Sequence, residues 1–163
     1  MSVQTLIMQL TELTTLHERL ADISDEKTEK IKSNDMEALT KLLIDERKVV
    51  QLIEKLEQKR EKEVDRLYDT WNISSNERTV EQLITKIEDE TAKRELEDVV
   101  TKLINVIVSI RESEQLNSDL LQQSMQFVQL SLDLLQPTVQ SANYDEKHKK
   151  QQRENQSIFD SRA

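Results

Sequence analysis

Apolar residues recur every three or four positions along most of the chain, which is the spacing of amphipathic helices. The first stripe lies within residues 2–32 and consists of Leu6, Leu10, Leu13, Leu16, Leu20, Ile23 and Ile31. Lys27 interrupts this stripe. A second stripe follows within residues 35–71 and thins between Leu56 and Val64, where charged residues crowd together. The pattern predicts two long helices, over about 2–32 and 35–71.

The longest pattern runs from about residue 90 to residue 136 as a seven-residue repeat with alternating spacings of three and four. Its members are Leu96, Val100, Leu103, Ile107, Ile110, Leu121, Val128 and Leu135. Pro137 is expected to end this third helix, because proline lacks an amide donor and restricts the residue before it. Residues 79–88 fit either a separate short helix or the opening turns of the third one.

Two polar segments separate the predicted helices. Asn34 with Glu37, and Ser74 with Glu77, have the spacing of a capping box at a helix start. Helices joined by short connections pack antiparallel. The predicted fold class is therefore all-α, an elongated, coiled-coil-like, antiparallel three-helix bundle over residues 1–137.

The chain changes character after Pro137. Residues 138–163 are polar and have no apolar periodicity, so we expect a flexible, disordered C-terminal tail. Tyr144 and the pair Ile158 and Phe159 are apolar points within it. Because no core lies nearby in the sequence, we expect them to form linear motifs that become ordered on binding a partner.

Composition supports helices and excludes several other classes. The chain has no glycine, one proline and no cysteine, while 34% of its residues are charged and 3% are aromatic. A chain with so few turn residues is unsuited to a sandwich, barrel or doubly wound sheet. The net charge of −9 argues against nucleic acid and anionic membranes as partners. With no long apolar run, no secretory signal pattern and no disulfides, a cytoplasmic location is expected.

The residue types needed for catalysis do not converge anywhere in the sequence. His17 lies beside the first stripe and is interpreted as a partly covered surface side chain, while His148 has no partner at metal-ligand spacing. A chain without glycine has no phosphate-binding loop. Acidic runs such as Glu88–Glu90 are typical of a solvated helix face. We expect a protein that is not an enzyme and needs neither metal nor cofactor.

The segment 116–135 carries two apolar stripes on one helix. Leu121, Met125, Val128, Leu132 and Leu135 continue the seam of the heptad repeat. Leu116, Leu120, Phe127, Leu130 and Leu134 form a second stripe about 140° away. This second stripe either completes the core, because a bundled helix touches two neighbours, or forms the wall of a groove for an amphipathic partner helix. The core interpretation is preferred, since the first helix must pack against something.

Polar residues also occupy seam positions, namely Glu114, Asn117 and Ser124. Buried polar groups commonly fix the register of a bundle at a cost in stability. The alternative is an open level at which these groups hydrogen-bond a partner. The register interpretation is preferred.

These features resemble the FlgN family of flagellar export chaperones over nearly the whole chain. The resemblance rests on Leu13, Leu16 and Leu20, on the segment Asn34 to Leu39, on the segment Asn117 to Phe127, and on the tail with Asn143-Tyr144 and Ile158 to Ala163. Where family members often carry glycine after the tail tyrosine, this chain has Asp145-Glu146-Lys147.

The resemblance implies a cytosolic chaperone that binds the C-terminal helices of hook-associated (hook–filament junction) proteins. It also implies delivery to the cytoplasmic domain of the flagellar export gate, with Tyr144 taking part in docking. The second apolar stripe is then the hypothetical client-binding surface. A structural coiled-coil scaffold or tether is the alternative. A chaperone should be a monomer or weak homodimer, whereas a scaffold should self-associate stably through its seam.

Overall fold

A computed structural model gives the structure of this protein. It describes the backbone of residues 3–160 and the side chains of residues 3–136, 144 and 146–150. The described residues form helices and no strands: α1 (Val3–Lys32), α2 (Met36–Thr70), α3 (Val80–Ile84) and α4 (Glu90–Asp160). Residues 79–88 thus contain a short helix of their own. The chain divides into two units, of which the first ends at Leu120 and the second begins at Leu121.

Asparagine takes the place of glycine in the turns that follow α1 and α2. Asn34 and Asn72 have backbone φ angles of 55° and 48°, in the left-handed region that glycine usually occupies after a helix. The next amide of each turn reaches back five residues, from Asp35 to the carbonyl of Lys30 at 3.0 Å and likewise after Asn72. Asparagine tolerates this conformation better than most residues. Both turns therefore close without glycine.

The helix starts differ from the predicted capping boxes. The side chain of Asp35, not Asn34, caps α2 by accepting from the amide of Ala38 at 3.1 Å. Thr79 caps α3 through the amide of Gln82, so the prediction at Ser74 is also wrong. Because Asn34 adopts the left-handed conformation that ends α1, Asp35 is the residue that caps α2.

One apolar core joins the helices of the first unit, confirming a helical bundle. Its buried members are Leu6, Ile7, Leu10, Leu13, Leu56, Val64, Leu67, Tyr68, Leu83, Ile87, Leu96 and Leu103. Tyr68 is 1% exposed, and its hydroxyl donates to the carbonyl of Thr79 at 2.9 Å. The same hydroxyl accepts from the Thr79 amide at 3.0 Å, so the buried phenol is satisfied and anchors the segment before α3.

Polar pairs fix the direction of α4 beside α1 within the first unit. Glu18 pairs with Lys102 at 2.9 Å, and Asp25 accepts a hydrogen bond from Ser113 at 2.9 Å. The partners on the two helices advance together along the chain. In the first unit, α1 and α4 therefore run in the same direction.

Pro137 does not end the last helix, because α4 continues to Asp160. The predicted boundary at residue 136 is wrong, and the segment expected to be a disordered tail is helical to Asp160. A proline inside a helix removes one hydrogen bond and costs about 3 kcal/mol. Residues 138–160, however, contain no glycine or further proline, and they include four Gln, three Lys and two Glu. These residues favour helix enough for it to resume.

Candidate functional site

The second unit exposes apolar side chains along α4. Met125, Phe127 and Leu134 are 73%, 72% and 69% exposed. Every residue from Leu121 to Leu130 is exposed. Isolated exposed apolar residues are ordinary, but a contiguous set on one helix is typical of a protein-binding surface. This exposed set is the candidate functional site.

The predicted client-binding residues fall in both units. In the first unit, Leu116 is exposed and Leu120 is half-buried. In the second unit, Phe127, Leu130 and Leu134 are all exposed. For these three residues, the preferred interpretation as core of this chain is wrong.

The seam of the heptad repeat is exposed in the second unit as well, which corrects the prediction that it continues the core. Its members are Leu121, Met125, Val128, Leu132 and Leu135. Asn117 of α4 pairs with Thr28, and α1 has only four residues beyond Thr28. Periodicity specifies which side chains share a face, but it does not specify how far the neighbouring helix extends.

Local polar contacts support the helix that carries this surface. The side-chain amide of Gln129 donates to Asp133 at 3.1 Å, and such a pair four positions apart strengthens an exposed helix by roughly 0.2–0.5 kcal/mol. The Ser131 hydroxyl donates to the backbone carbonyl of Phe127 at 2.9 Å, a bond that satisfies the hydroxyl and does not itself strengthen the helix. The apolar side chains are thus presented on a formed helix.

A layer of polar side chains crosses the first unit where α1, α2 and α4 meet. We call Ser24, Lys27, Thr28, Glu46, Glu114 and Asn117 the polar layer. Lys27 is 5% exposed, and its ammonium lies 2.6 Å from Glu46 and 2.7 Å from Glu114. The Ser24 hydroxyl also donates to Glu114, at 2.8 Å. Three helices are joined by these contacts.

Asn117 completes the polar layer on the α4 side. It is 3% exposed, and its amide donates to the carbonyl of Ser24 at 3.0 Å, while the Thr28 hydroxyl donates to its oxygen. Asn117 and Glu114 thus have their partners within the chain, which agrees with the register interpretation and not with an open level awaiting a partner. Ser124, the third predicted position, is exposed.

The role of Lys27 was missed by the sequence analysis, which treated it as a gap in the first stripe. Burial acts to lower the pKa of Lys27, but hydrogen bonds to Glu114 and Glu46 outweigh burial and raise the pKa above its ordinary value of 10.5. The ammonium is therefore charged at neutral pH. A usable signal was present, since Lys27, Glu46 and Glu114 stand at stripe positions of three helices with opposite charges.

Of the three residues singled out in the tail, the structure describes the side chain of Tyr144 alone. Tyr144 is 65% exposed on α4, and its ring centroid lies 4.3 Å from that of His148 in an edge-on arrangement. Tyr144 is thus presented on a helix rather than on a disordered strand of chain. The side chains of Ile158 and Phe159 lie outside the described residues.

Catalytic or metal-binding groups do not converge in the part of the chain that the structure describes. No group of three or more His, Asp or Glu residues there could hold a metal ion. His17 is half-buried, with Nδ1 2.7 Å from the carbonyl of Leu13. A cavity of about 570 Å³ beside Trp71 includes Lys86, Glu88 and Asp89 in its wall. None of the described helices is long and apolar enough to cross a membrane.

Comparison with known proteins finds a family model that matches most of the chain and a relative that matches all of it. A family model described as FlgN protein matches residues 1–152. The chain is 30% identical over 165 residues to the uncharacterized protein YvyG of Bacillus subtilis (strain 168), and the match covers 100% of both chains. No solved structure matches. The matched region includes α1 to α3 and most of α4.

Proposed function

This chain belongs to the FlgN family of flagellar export chaperones, and from that premise we propose that it binds the C-terminal helices of hook-associated proteins in the cytosol. We further propose that it delivers these clients to the cytoplasmic domain of the export gate. The family is one of binding proteins and not of enzymes. The exposed apolar residues of α4 in the second unit are the observation that carries the proposal.

An amphipathic client helix fits such a surface because it has a stripe of its own to cover. Burying one large apolar side chain contributes about 1.5–3 kcal/mol. Association costs about 4–15 kcal/mol in lost freedom and ordering. Several of Phe127, Leu130 and Leu134 must therefore be covered together, which favours a helix lying along α4 over a contact at one point.

The direct test replaces Phe127 with Asp. Because Phe127 is exposed in the free protein, the variant should unfold at the wild-type denaturant concentration while losing affinity for a client C-terminal helix at least tenfold. Met8→Asp is the matched control, since Met8 of α1 is 67% exposed and lies outside the candidate surface. Equal client binding by both variants would exclude this surface.

Delivery is proposed to use Tyr144, which is exposed and available to a partner. Tyr144→Ala should weaken binding of the client-loaded chaperone to the export-gate domain while leaving client binding unchanged. Tyr68 is buried in the core, so it cannot replace Tyr144 in contacting the export-gate domain. Unchanged gate binding would remove Tyr144 from the proposal.

The alternative is a scaffold or tether that self-associates through the exposed seam of the second unit. That seam spans about two heptads between Leu121 and Leu135, whereas stable isolated helices and coiled coils are generally longer. Sedimentation at increasing concentration separates the two functions. A stable oligomer that is lost in Val128→Asp would favour the scaffold, and a monomer or weak dimer favours the chaperone.

A further inference from the structure

We infer that the polar layer is a register lock, which holds α4 at one position along α1 and α2 among several that its repeat would otherwise allow. Ser24, Lys27, Thr28 and Asn117 of the layer are buried, whereas Glu46 and Glu114 are partly exposed. The layer joins three helices through Lys27 with Glu46 and Glu114, and through Asn117 with Ser24 and Thr28. All of these contacts lie within the first unit.

The heptad repeat of α4 makes such a lock necessary. A shift by seven residues, about 10.5 Å along a helix, brings the same face of α4 to α1 and α2. Leu103 would take the place of Leu96, and Ile110 that of Leu103, so apolar residues would replace apolar ones. Shifts by one residue are different, because they rotate the seam away from its partners. Seven-residue shifts are thus the competing registers.

Glu114 and Asn117 break this equivalence. A shift that brings Leu121 to the level of Glu114 also brings Ser124 to the level of Asn117. The ammonium of Lys27 would then keep Glu46 of α2 but face a leucine in place of the Glu114 carboxylate. The carbonyl and hydroxyl of Ser24 would lose Asn117 in the same step. Buried polar groups without partners are costly, and buried charges more so. Only the observed register satisfies every member of the layer.

The lock fixes which residues of α4 meet α1 and α2 within the first unit, and it rests on the contacts of that unit alone.

Cysteine cross-linking measures the register directly, because the chain has no cysteine of its own. The Asp25 carboxylate and Ser113 hydroxyl are 2.9 Å apart, so cysteines at these two positions report the observed register. Cysteines at Asp25 and Leu120 report the register shifted by seven residues. With the layer intact, a short bifunctional thiol reagent should join only the first pair.

The layer is removed with Lys27→Leu, Glu114→Leu and Asn117→Leu together. This variant should keep its helicity and melt at the same or a higher temperature, because well-packed apolar residues commonly replace a buried ion pair without loss. The Asp25/Leu120 cysteine pair should then cross-link to an extent comparable with the first pair. Glu114→Leu with Asn117→Leu, which changes α4 alone, is the second variant.

Lys102→Leu is the matched control, because it removes an exposed ion pair between the same two helices. It should leave cross-linking confined to the first pair. Folded layer variants that join only Asp25 to residue 113 would overturn the lock, and so would loss of the fold in both layer variants. Because no client is present, the result does not depend on the chaperone function. Client binding by the wild-type chain tests that function separately.

Discussion

The two parts of α4 carry the same heptad repeat and meet opposite surroundings. In the first unit, Leu96 and Leu103 are 0% and 8% exposed. In the second unit, Val128 and Leu135 are 55% and 60% exposed. The sequence pattern is equivalent in the two places, whereas the presence of neighbouring helices is not. A heptad seam therefore becomes buried only where a neighbouring helix packs against it.

The polar positions differ between the two parts in the same way. Asn117 is buried and satisfied by α1, whereas Ser124, one heptad later, is exposed. In the first unit a polar seam residue has to find partners, because water is excluded. In the second unit water satisfies it. Polar seam residues thus set the register only where the seam is covered.

Truncating a seam side chain to alanine should produce the largest difference between the two parts. Leu96→Ala removes a fully buried side chain and should lower the free energy of unfolding by about 2–5 kcal/mol. Val128→Ala, at an exposed position, should change it by less than about 0.5 kcal/mol. Urea melts followed by circular dichroism give both numbers. Similar losses at the two positions would show that the second seam is covered in solution.

Removing the charge of Lys27 should have the next largest effect. Lys27→Met leaves Glu46 and Glu114 without their shared cation, and because both carboxylates are partly exposed the loss should stay below about 3 kcal/mol. The pKa of Lys27 is raised above 10.5 in the folded chain. Its stabilising contribution is therefore complete below pH 10.5 and is lost as the pH rises through the raised pKa.

The pH dependence separates this effect from ordinary packing. As the pH rises above about 10.5, wild type should lose stability more steeply than Lys27→Met, whose layer has no ammonium left to titrate. Parallel losses in the two proteins would mean that other groups account for the alkaline unfolding. Chemical melts across this pH range provide the comparison.

Much of the fold was predictable because helical periodicity is strong over residues 3–136. The predicted ends of the first two helices lie within one residue of the observed ends, which is within the usual uncertainty of helix termini. The capping boxes were wrong because Asn34 ends α1 in a left-handed conformation, which local spacing does not reveal. The predicted end of α4 was wrong because the single proline does not stop the helix, which resumes in a following segment without glycine or further proline.

The candidate surface was predictable as a set of residues but not as an exposed surface. The second stripe was identified from spacing, yet the same spacing fits a core or a groove. Only the extent of the neighbouring helices decides between them. For Lys27, spacing indicated only an interruption of an apolar stripe. Its role in the polar layer depends on Glu46 and Glu114, which lie far away in the sequence.

The two tyrosines allow the same comparison between a buried and an exposed position, with a smaller expected change in stability. Tyr68→Phe removes a buried hydroxyl that both donates to and accepts from Thr79, and should cost about 1–2 kcal/mol. Tyr144→Phe, at an exposed position, should cost nothing measurable. Denaturant melts of the two variants side by side make the test. Equal stability of both would mean that water readily replaces the contacts of Tyr68.

The smallest expected effect comes from ending the chain after Pro137. The described side chains beyond this point, Tyr144 and residues 146–150, are exposed. The unfolding midpoint should therefore stay at the wild-type value, because the core and the polar layer remain intact. Helical ellipticity should fall, since α4 otherwise continues to Asp160, although a helix without packing partners is only marginally stable in water. A lower midpoint would show that residues beyond Pro137 pack on the rest of the chain in solution, and the contrast between a covered and an uncovered seam would then be weaker than the structure indicates.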